Sequence, residues 1–252
     1  MILVFGGTTE GKKVIEILER SQLPYVYSTK TEINFSSSTL GAYRFGAFTV
    51  ESLRAFCLQN DIQTIVHASH PFAEVLHKTI AEVATKLKIP VMRWERVYPD
   101  RNSNELVHYF SSYDDAIVFL EDQKMTNLLA LTGVQTIVKL KKYWHQKKTF
   151  FRILPRESSL KIALAAGFPK ENLVLAMPSN EIQHELDLIK QYNIECMVTK
   201  ESGESGFLST KIEAALQSAI PILIIERPQL PDSFISVSTE DELFLHLDKS
   251  VL

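Results

Sequence analysis

The chain has 252 residues, of which 45% are hydrophobic and 23% are charged, and its formal net charge is −3. This composition is typical of a globular protein with one large or two small domains, and the small negative charge gives no reason to expect nucleic acid or a membrane as a partner. No apolar run approaches the roughly 20 residues that span a bilayer. The first apolar strand follows Met1 directly, so we expect a cytoplasmic protein without a secretory signal, in which Cys57 and Cys196 are reduced and buried.

The N-terminal stretch places a glycine-rich turn between an apolar strand over residues 2–5 and a helix. Gly6, Thr8 and Gly11 have the spacing of the dinucleotide-binding pattern G-x-G-x-x-G, with threonine in place of the middle glycine. The N-terminus of a helix offers N–H groups and a positive dipole end to a phosphate. We therefore predict a nucleotide or phosphate here, with Thr8 either donating its hydroxyl to the phosphate or holding the ligand slightly away. Similar turns also occur in doubly wound folds that bind nothing there.

Strands and helices alternate through the first 97 residues. The pattern predicts strands over residues 25–29, 42–46, 64–68 and 91–94, and helices over residues 11–23, 49–59 (capped by Thr49) and 71–87 (with Pro71 in the first turn). Such alternation indicates a parallel doubly wound sheet, which binds its ligands at the carboxyl ends of the strands.

The second strand ends in Ser28, Thr29 and Lys30, and the nearest acidic residue is Glu32. An acidic side chain at this place usually binds the free 2′-hydroxyl of NADH. Hydroxyls and a lysine suit a 2′-phosphate better than a 2′-hydroxyl. The sequence therefore favours NADPH over NADH.

Two histidines mark the end of the strand over residues 64–68. His70 follows the strand, where it either contacts a ligand or caps the start of the next helix. His67 lies within the strand and is expected to be structural.

Alternation restarts after a polar segment over residues 98–111, which we interpret as a crossover between domains. Predicted helices cover residues 112–123, 158–167, 181–192 (capped by Asn180) and 211–218, and predicted strands cover residues 127–131, 150–154, 173–176, 195–200 and 221–226. A capping box of Thr239 and Glu242 begins the last helix. We therefore predict an α/β fold of two Rossmann-like doubly wound parallel-sheet domains, residues 1–97 and 98–252, facing a shared cleft, with the last strand and helix free to return to the first domain.

A basic region and a glycine-containing loop distinguish the second half. The loop over residues 200–206 loosely resembles a phosphate cradle but lacks the Walker spacing, so we expect no NTPase chemistry. Motifs for metal binding and for serine hydrolases are absent too, so no metal site is expected. The basic region is either a solvated face or a surface for a polyanionic ligand, and it comprises Lys139, Lys141, Lys142, Lys147, Lys148, Arg152 and Arg156.

Five groups of residues along the chain carry a family resemblance. They are Gly6-Gly-Thr-Thr-Glu10; Ala68-Ser-His-Pro-Phe-Ala73 with Pro90-Val-Met-Arg-Trp-Glu-Arg96; Thr132-Gly133; Val198-Thr-Lys-Glu-Ser-Gly203 with Lys211 and Ala214-Ala215; and Ile220-Pro with Glu226-Arg-Pro228. In this order and spacing they resemble the precorrin-6A reductase family of cobalamin biosynthesis, including its cobalt-precorrin-6A reductase branch. The chain departs from the family at His67, where Asp is usual in Asp-Ala-Thr-His-Pro-Phe, and at Met177-Pro-Ser179, where Gly-Pro-Phe is expected.

The resemblance implies an NAD(P)H-dependent reductase that adds a hydride at C19 and a proton at C18 of a polycarboxylate tetrapyrrole. His70 is the candidate catalytic proton donor, because the pKa of an unperturbed imidazole lies near neutrality; solvent or a substrate carboxylate is the alternative. The implied substrate-binding residues are His70, Lys200, Ser202, Gly203 and Lys211. The implied residues for NADPH, with NADH also possible, are Gly6, Gly7, Thr8, Thr9, Glu10, Ser28, Lys30, Ser69, Thr132 and Gly133.

Two other functions remain open on the residues alone. A two-domain tetrapyrrole enzyme of the uroporphyrinogen-III synthase type would need no nicotinamide, and its glycine turn would not bind a nucleotide. An NAD(P)H-binding sensor would report to a partner, although no helix-turn-helix with a basic face is readable. A short-chain reductase is disfavoured, because we expect no Tyr-x-x-x-Lys pair to serve as its acid. The residues decide neither whether the substrate carries cobalt nor the oligomeric state.

Overall fold

The computed structural model describes residues 1–36 and 38–251. The chain divides into two compact units, one formed by Met1–Val97 with the chain from Pro228 onward, and one formed by Tyr98–Arg227. Each unit contains one six-stranded parallel sheet. No helix in the described part of the chain is long and apolar enough to cross a membrane.

The described helices and strands alternate along most of the chain. The strands are β1 (Ile2–Phe5), β2 (Tyr25–Thr29), β3 (Gly41–Phe45), β4 (Thr64–His67), β5 (Val91–Trp94), β6 (Val107–Phe110), β7 (Asn127–Ala130), β8 (Lys148–Ile153), β9 (Leu173–Leu175), β10 (Cys196–Lys200), β11 (Ile222–Ile225) and β12 (Phe234–Val237). The α-helices are α1 (Thr9–Arg20), α2 (Val50–Gln59), α3 (Glu74–Leu87), α4 (Tyr113–Asp122), α5 (Lys141–Trp144), α6 (Glu157–Ala165), α7 (Ile182–Tyr192), α8 (Leu208–Gln217) and α9 (Glu240–Val251). Short 3₁₀ turns lie at Val134–Thr136, Val138–Leu140, Lys170–Asn172 and Glu204–Gly206.

The first sheet has the strand order β3-β2-β1-β4-β5-β12, which is the Rossmann order 3-2-1-4-5-6. Successive residues of β1 point to opposite faces, so Ile2 and Val4 pack into one core and Leu3 and Phe5 into another. The order reverses between β1 and β4. In open α/β sheets a ligand binds at this switch point, beyond the carboxyl ends of the two strands.

The second sheet has the order β9-β8-β7-β10-β11-β6. Its first five strands repeat the pattern of the first sheet, with the switch point between β7 and β10. The sixth place is taken by β6, which precedes the other strands in the chain. All the pairings of both sheets are parallel.

Most predicted elements are confirmed, including the caps at Thr49 and Ser112 and the capping box of Thr239 and Glu242. Two predictions at helix starts are wrong. Pro71 lies before α3, because residues 70–73 form a turn in which the Ala73 amide donates to the His70 carbonyl at 2.9 Å. Asn180 is not the cap of α7, whose N-cap is Glu181.

Two strands are missing from the sequence prediction. β6 lies in the segment interpreted as a crossover, and β12 follows the last predicted strand. That last predicted strand, β11, pairs with β6 and β10 in the second sheet, whereas β12 pairs with β5 in the first. The helix α9 belongs to the first unit.

Candidate functional site

The glycine turn after β1 is packed against one tyrosine. The Gly6 amide donates to the Ser28 carbonyl at 2.9 Å, and the Gly7 amide donates to the Tyr27 hydroxyl at 2.8 Å. A Cβ atom on Gly6 would lie 2.2 Å from the Tyr27 ring, and one on Gly11 would lie 2.7 Å from the Gly6 Cα. Gly7 differs, because it is exposed, has φ +88° and would place a Cβ no closer than 3.8 Å to another residue. Of the three glycines of this turn, Gly7 alone therefore has open space beside it for a ligand.

Thr8 is the N-cap of α1. Its hydroxyl donates to the Ala68 carbonyl at 2.6 Å and accepts from the Gly11 amide at 3.1 Å. The hydroxyl proton is thus committed to the end of β4, so in this structure Thr8 has no hydroxyl proton to donate to a phosphate. The amides of Thr8 and Thr9 donate to no acceptor among the residues that the structure describes. These two N–H groups, at the positive end of a 12-residue helix, suit a phosphate.

Glu10 lies in the first turn of α1 and forms an ion pair with Arg96, with 3.0 Å between Oε2 and Nη2. Both side chains are buried. An unpaired carboxylate here would repel a phosphate at the helix terminus, and the guanidinium of Arg96 offsets its charge. Glu10, which the resemblance places among the NADPH residues, therefore already has a cationic partner in this structure.

His70 follows β4 in the turn that precedes α3. Its Nδ1 accepts from the Phe72 amide at 3.2 Å. A neutral imidazole with Nδ1 as acceptor carries its proton on Nε2. The turn therefore sets which nitrogen of His70 carries the proton in the neutral ring.

The side chain of Arg93, which is 1% exposed, is hydrogen-bonded to the backbone that leads into this turn. Its Nη1 donates to the Ser69 carbonyl at 2.8 Å and to the His67 carbonyl at 3.3 Å, and its Nε contacts the Glu95 carboxylate at 2.7 Å. The hydroxyl of Ser69, predicted to contact a cofactor, is buried 3.3 Å from the Nδ1 of His67. Ser69 and Arg93 thus act in this structure by fixing the backbone that carries His70.

His67 packs against His77, with 4.9 Å between the ring centroids. Burial, Arg93 and His77 hold the pKa of His67 well below its usual value. Burial and then Arg93 lower the pKa of His77 to about 4. Both rings are therefore neutral near pH 7, and the structural role predicted for His67 is confirmed.

The ends of β2 and β3 bring together Ser28 and a residue that the sequence analysis missed, Arg44. The Nη1 of Arg44 donates to the Ser28 hydroxyl at 2.6 Å. Lys30, the other predicted contact here, is exposed. The signal for Arg44 is its position in the predicted strand over residues 42–46, since a parallel neighbour of β2 places it beside Ser28.

In the second unit, Thr132 and Gly133 follow β7. The Thr136 hydroxyl donates to the Gly133 carbonyl at 2.7 Å, so in its 2.6 Å contact with Thr132 it accepts the Thr132 hydroxyl proton. Thr132 is buried and closes the turn. Gly133 has φ +83°, and a Cβ there would meet nothing within 4 Å. Of the two predicted residues, Gly133 has open space beside it.

The loop over residues 200–206 follows β10, the neighbour of β7 in the sheet. Gly203 has φ 72° and ψ −174°, a conformation that only glycine adopts readily. Ser202 is buried against Gly206, where a Cβ would lie 2.1 Å from the Ser202 Oγ. The structure therefore brings this loop and the Thr132-Gly133 turn to adjacent strand ends of the second sheet.

Lys211 lies in α8 and is only 4% exposed. Its Nζ donates to the Gly206 carbonyl at 2.7 Å. Burial, and next the guanidinium of Arg152, lower the pKa of Lys211 to about 7, while the carboxylate of Glu185 opposes this shift. Arg152 and Glu185 form a buried ion pair at 2.5 Å. Lys211 thus supports the loop from inside the protein.

The basic region is not one surface. Lys147 and Lys148 lie at the amino end of β8, whereas the buried Arg152 and the exposed Arg156 lie at or beyond its carboxyl end. The remaining lysines of the region, Lys139, Lys141 and Lys142, are exposed. Only Arg152 and Arg156 are therefore at the sheet edge that carries the loop over residues 200–206.

One Tyr-x-x-x-Lys pair does occur, at Tyr143 and Lys147, so the expectation that none exists is wrong. Tyr143 is buried, its hydroxyl donates to the Met125 carbonyl at 2.8 Å, and burial raises its pKa. A tyrosine in this position is a core residue and cannot serve as the acid of a short-chain reductase.

The loop Met177-Pro178-Ser179, where the sequence departs from the family pattern, follows β9. It lines a cavity of about 470 Å³ in the second unit, together with Arg152 and the side of α7. No group of three or more His, Cys, Asp or Glu side chains in the described ranges is placed to hold a metal ion.

The chain is similar to known proteins over most of its length. The family model "Precorrin-6x reductase CbiJ/CobK" matches residues 1–247. Cobalt-precorrin-6A reductase of Methanothermobacter thermautotrophicus is 27% identical over 237 residues, which are 91% of this chain and 77% of that protein. Precorrin-6A reductase of Rhodococcus erythropolis is 27% identical over 234 residues, 91% of this chain and 90% of that protein.

Among solved structures, CobK precorrin-6A reductase matches with a TM-score of 0.80 and 20% identity, covering 99% of this chain and 96% of that chain. At this identity the match shows the fold alone. It confirms the predicted α/β class with two parallel sheets.

Proposed function

Because the chain belongs to the precorrin-6x reductase CbiJ/CobK family, we propose that it reduces one carbon–carbon double bond of a precorrin-6A-type tetrapyrrole with NADPH. The observation that carries this proposal is the family match over residues 1–247, which spans both units. The family is one of reductases in cobalamin biosynthesis. The hydride donor, the bond reduced and the residues in each role are the parts that we propose.

The first unit fits a dinucleotide. The amides of Thr8 and Thr9 point from the N-terminus of α1, Gly7 leaves open space, and the carboxylate of Glu10 is offset by Arg96. These features would hold a pyrophosphate. Gly6 and Thr8 shape the turn through Tyr27 and Ala68, and Ser28 with Lys30 would lie near the adenosine ribose. NADH would fit the same turn.

When bound, NADPH supplies a hydride to C19 of the macrocycle, and C18 gains a proton, so the double bond becomes a single bond and NADP⁺ is released. Proton donation at C18 is assigned to Nε2 of His70 in its imidazolium form, which returns to the neutral ring when the proton leaves; protonation of Nδ1 would require the Phe72 amide contact to open. Arg93 acts as a positioning residue, since it binds the backbone carbonyls on the N-terminal side of His70.

The second unit would bind the substrate. Gly133 leaves open space after β7, and Lys200 and Arg156 would offer cationic groups to substrate carboxylates. Ser202 and Lys211 are buried and would support the loop over residues 200–206. Relatives named for precorrin-6A and for its cobalt form are equally similar to the chain, so both substrates belong in the assay.

The test is an anaerobic assay of the purified protein with NADPH or NADH and with precorrin-6A or its cobalt form. We expect loss of reduced cofactor in a one-to-one ratio with a product that is heavier by two hydrogen atoms. Failure to bind either nucleotide would contradict the proposal and favour a tetrapyrrole enzyme without a nicotinamide. Binding without turnover of either substrate would favour an NAD(P)H sensor.

A further inference from the structure

Arg44 occupies a defined position at the carboxyl edge of the first sheet. It is the fourth residue of β3 and pairs in register with Ser28 of β2. Its guanidinium stacks on Phe48, with 3.8 Å from Cζ to the ring centroid, and its Nη2 donates to the carbonyls of Phe45 and Gly46 at 2.9 Å each. These contacts, with the 2.6 Å bond to the Ser28 hydroxyl, hold the guanidinium in one orientation.

The charge of Arg44 is not offset by a carboxylate. Within the described ranges, the buried or nearly buried Arg93, Arg96 and Arg152 each form an ion pair with a glutamate, whereas Arg44 forms none. Arg44 is partly buried, and burial lowers its pKa from the usual value. A partly desolvated cation without a counter-ion is unfavourable unless an anion joins it.

Arg44 also keeps hydrogen-bond donors available. A guanidinium has five N–H groups. One N–H of Nη1 donates to Ser28, and the two N–H groups of Nη2 donate to the carbonyls of Phe45 and Gly46. The Nε–H and the second Nη1–H therefore donate to no acceptor in the described part of the chain. These two groups lie on different edges of the guanidinium, so each can donate one charge-assisted hydrogen bond to a phosphate oxygen.

We propose that Arg44 binds the 2′-phosphate of NADPH and makes the protein select NADPH over NADH. The inference rests on the proposed function and adds its specificity-determining residue. In the Rossmann order the adenosine ribose lies at the carboxyl end of β2, where an arginine accommodates a 2′-phosphate. Ser28 connects this place to the glycine turn, because its carbonyl accepts from Gly6 while its hydroxyl accepts from Arg44.

A purely structural role for Arg44 predicts a different result. If Arg44 served only to pack on Phe48 and close the turn at Gly46, its loss would weaken NADPH and NADH binding equally. A phosphate ligand changes the ratio of the two affinities instead. The exposed Arg54 of α2, which has no role in the proposed site, is the matched control.

The experiment measures the dissociation constants of NADPH and NADH, by fluorescence of the reduced cofactor, for wild type, Arg44→Gln, Arg44→Lys and the control Arg54→Gln. Adenosine 2′,5′-bisphosphate and ADP serve as a second pair of probes, which need no nicotinamide and no turnover. We expect Arg44→Gln to weaken NADPH about 10- to 100-fold, the loss for hydrogen bonds to a charged group, and to change NADH less than about twofold. Arg44→Lys should keep part of the preference for NADPH, and Arg54→Gln should change the NADPH dissociation constant less than about threefold.

The outcomes separate this inference from the proposed function. Wild-type protein that binds NADPH and NADH equally, or an Arg44→Gln variant that loses both equally, overturns the role of Arg44 and leaves the reductase proposal intact. Wild-type protein that binds neither nucleotide overturns both. If Arg44→Gln lowers Tm enough to prevent titration, the ratio of the NADPH and NADH dissociation constants is measured for Arg44→Lys instead. A ratio equal to that of wild type overturns the inference.

Discussion

The two sheets share the strand order around their switch points, but the segments that follow their first central strands differ. After β1, the chain enters the 12-residue helix α1, capped by Thr8, within three residues. After β7, it forms two 3₁₀ turns and then α5, a helix of four residues. A long capped helix presents aligned amides and a dipole, whereas these short turns do not. The same topology therefore carries a helix terminus suited to a phosphate after β1, where we propose the dinucleotide site, but not after β7.

Buried charges differ between the units as well. The first unit pairs Glu10 with Arg96 and Glu95 with Arg93, whereas the partly buried Arg44 pairs with no carboxylate in the described part of the chain. The second unit places Arg152 and Lys211 around the single carboxylate of Glu185. The first arrangement leaves Arg44 as the cation that we propose for an added phosphate, whereas the second holds a loop in place.

The largest expected effect is on the chemistry, at the first sheet. His70→Gln should lower kcat about 10²- to 10⁴-fold, the usual contribution of a general acid, while the NADPH dissociation constant stays unchanged. Steady-state kinetics and a fluorescence titration measure the two quantities. The exposed His184→Gln is the control and should match wild type. A normal kcat for His70→Gln would transfer the proton donation to solvent or to the substrate.

The second effect concerns the support in the second unit. Glu185→Gln removes the carboxylate that faces Arg152 and is itself 0% exposed. Leaving a buried cation unpaired should lower the free energy of unfolding by about 3–5 kcal/mol, as measured by urea denaturation. Glu181→Gln, at an exposed ion pair, should leave the unfolding midpoint nearly unchanged. Equal midpoints for the two variants would show that Glu185 does not balance these cations.

Lys211 tests the same support through pH. Burial and Arg152 lower its pKa from 10.5 to about 7 in the folded protein. Between these values the unfolded chain binds more protons, so the contribution of Lys211 makes stability rise with pH over this window. Lys211→Met cannot titrate, so we expect this rise to disappear and the variant to be more stable than wild type at pH 7 by roughly 2 kcal/mol.

Thermal unfolding at several pH values measures this effect. The exposed Lys161→Met is its control and should keep the pH profile of wild type. Parallel profiles for wild type and Lys211→Met would show that Lys211 does not titrate in this window.

The smallest effects come from the glycine turn. Gly6→Ala places a methyl group against the Tyr27 ring and should cost about 2 kcal/mol of stability by overpacking. Gly7→Ala has space but must keep φ +88°, which costs about 1–2 kcal/mol. If the ligand lies at Gly7, the second variant should fold yet bind NADPH more weakly. Unchanged NADPH binding by a folded Gly7→Ala variant would place the ligand elsewhere.

Much of the fold is readable in the sequence because buried parallel strands are continuous apolar runs. The runs over residues 2–5, 25–29 and 91–94 coincide with β1, β2 and β5. The two missed strands, β6 and β12, are edge strands of four residues that follow proline-containing polar segments. Their pairing depends on the sheet that is already there, so local pattern alone does not show them.

The site is less readable, because its decisive contacts join distant residues. The role of Thr8 depends on a carbonyl 60 positions away, at Ala68. Arg44 becomes a candidate only when the register of β3 places it beside Ser28. The family resemblance suggests Lys211 as a cation for the substrate, yet in the structure its ammonium is buried and donates to the Gly206 carbonyl.

The most direct test of a dinucleotide site in the first unit is amide hydrogen exchange of the whole protein, with and without saturating NADPH and without substrate. The amides of Thr8 and Thr9 have no acceptor in the described structure, so they should exchange fast in the free protein. NADPH should slow exchange in peptides that cover this turn and the end of β3. Unchanged exchange over residues 6–12 at saturating NADPH would contradict the site assigned to the first sheet.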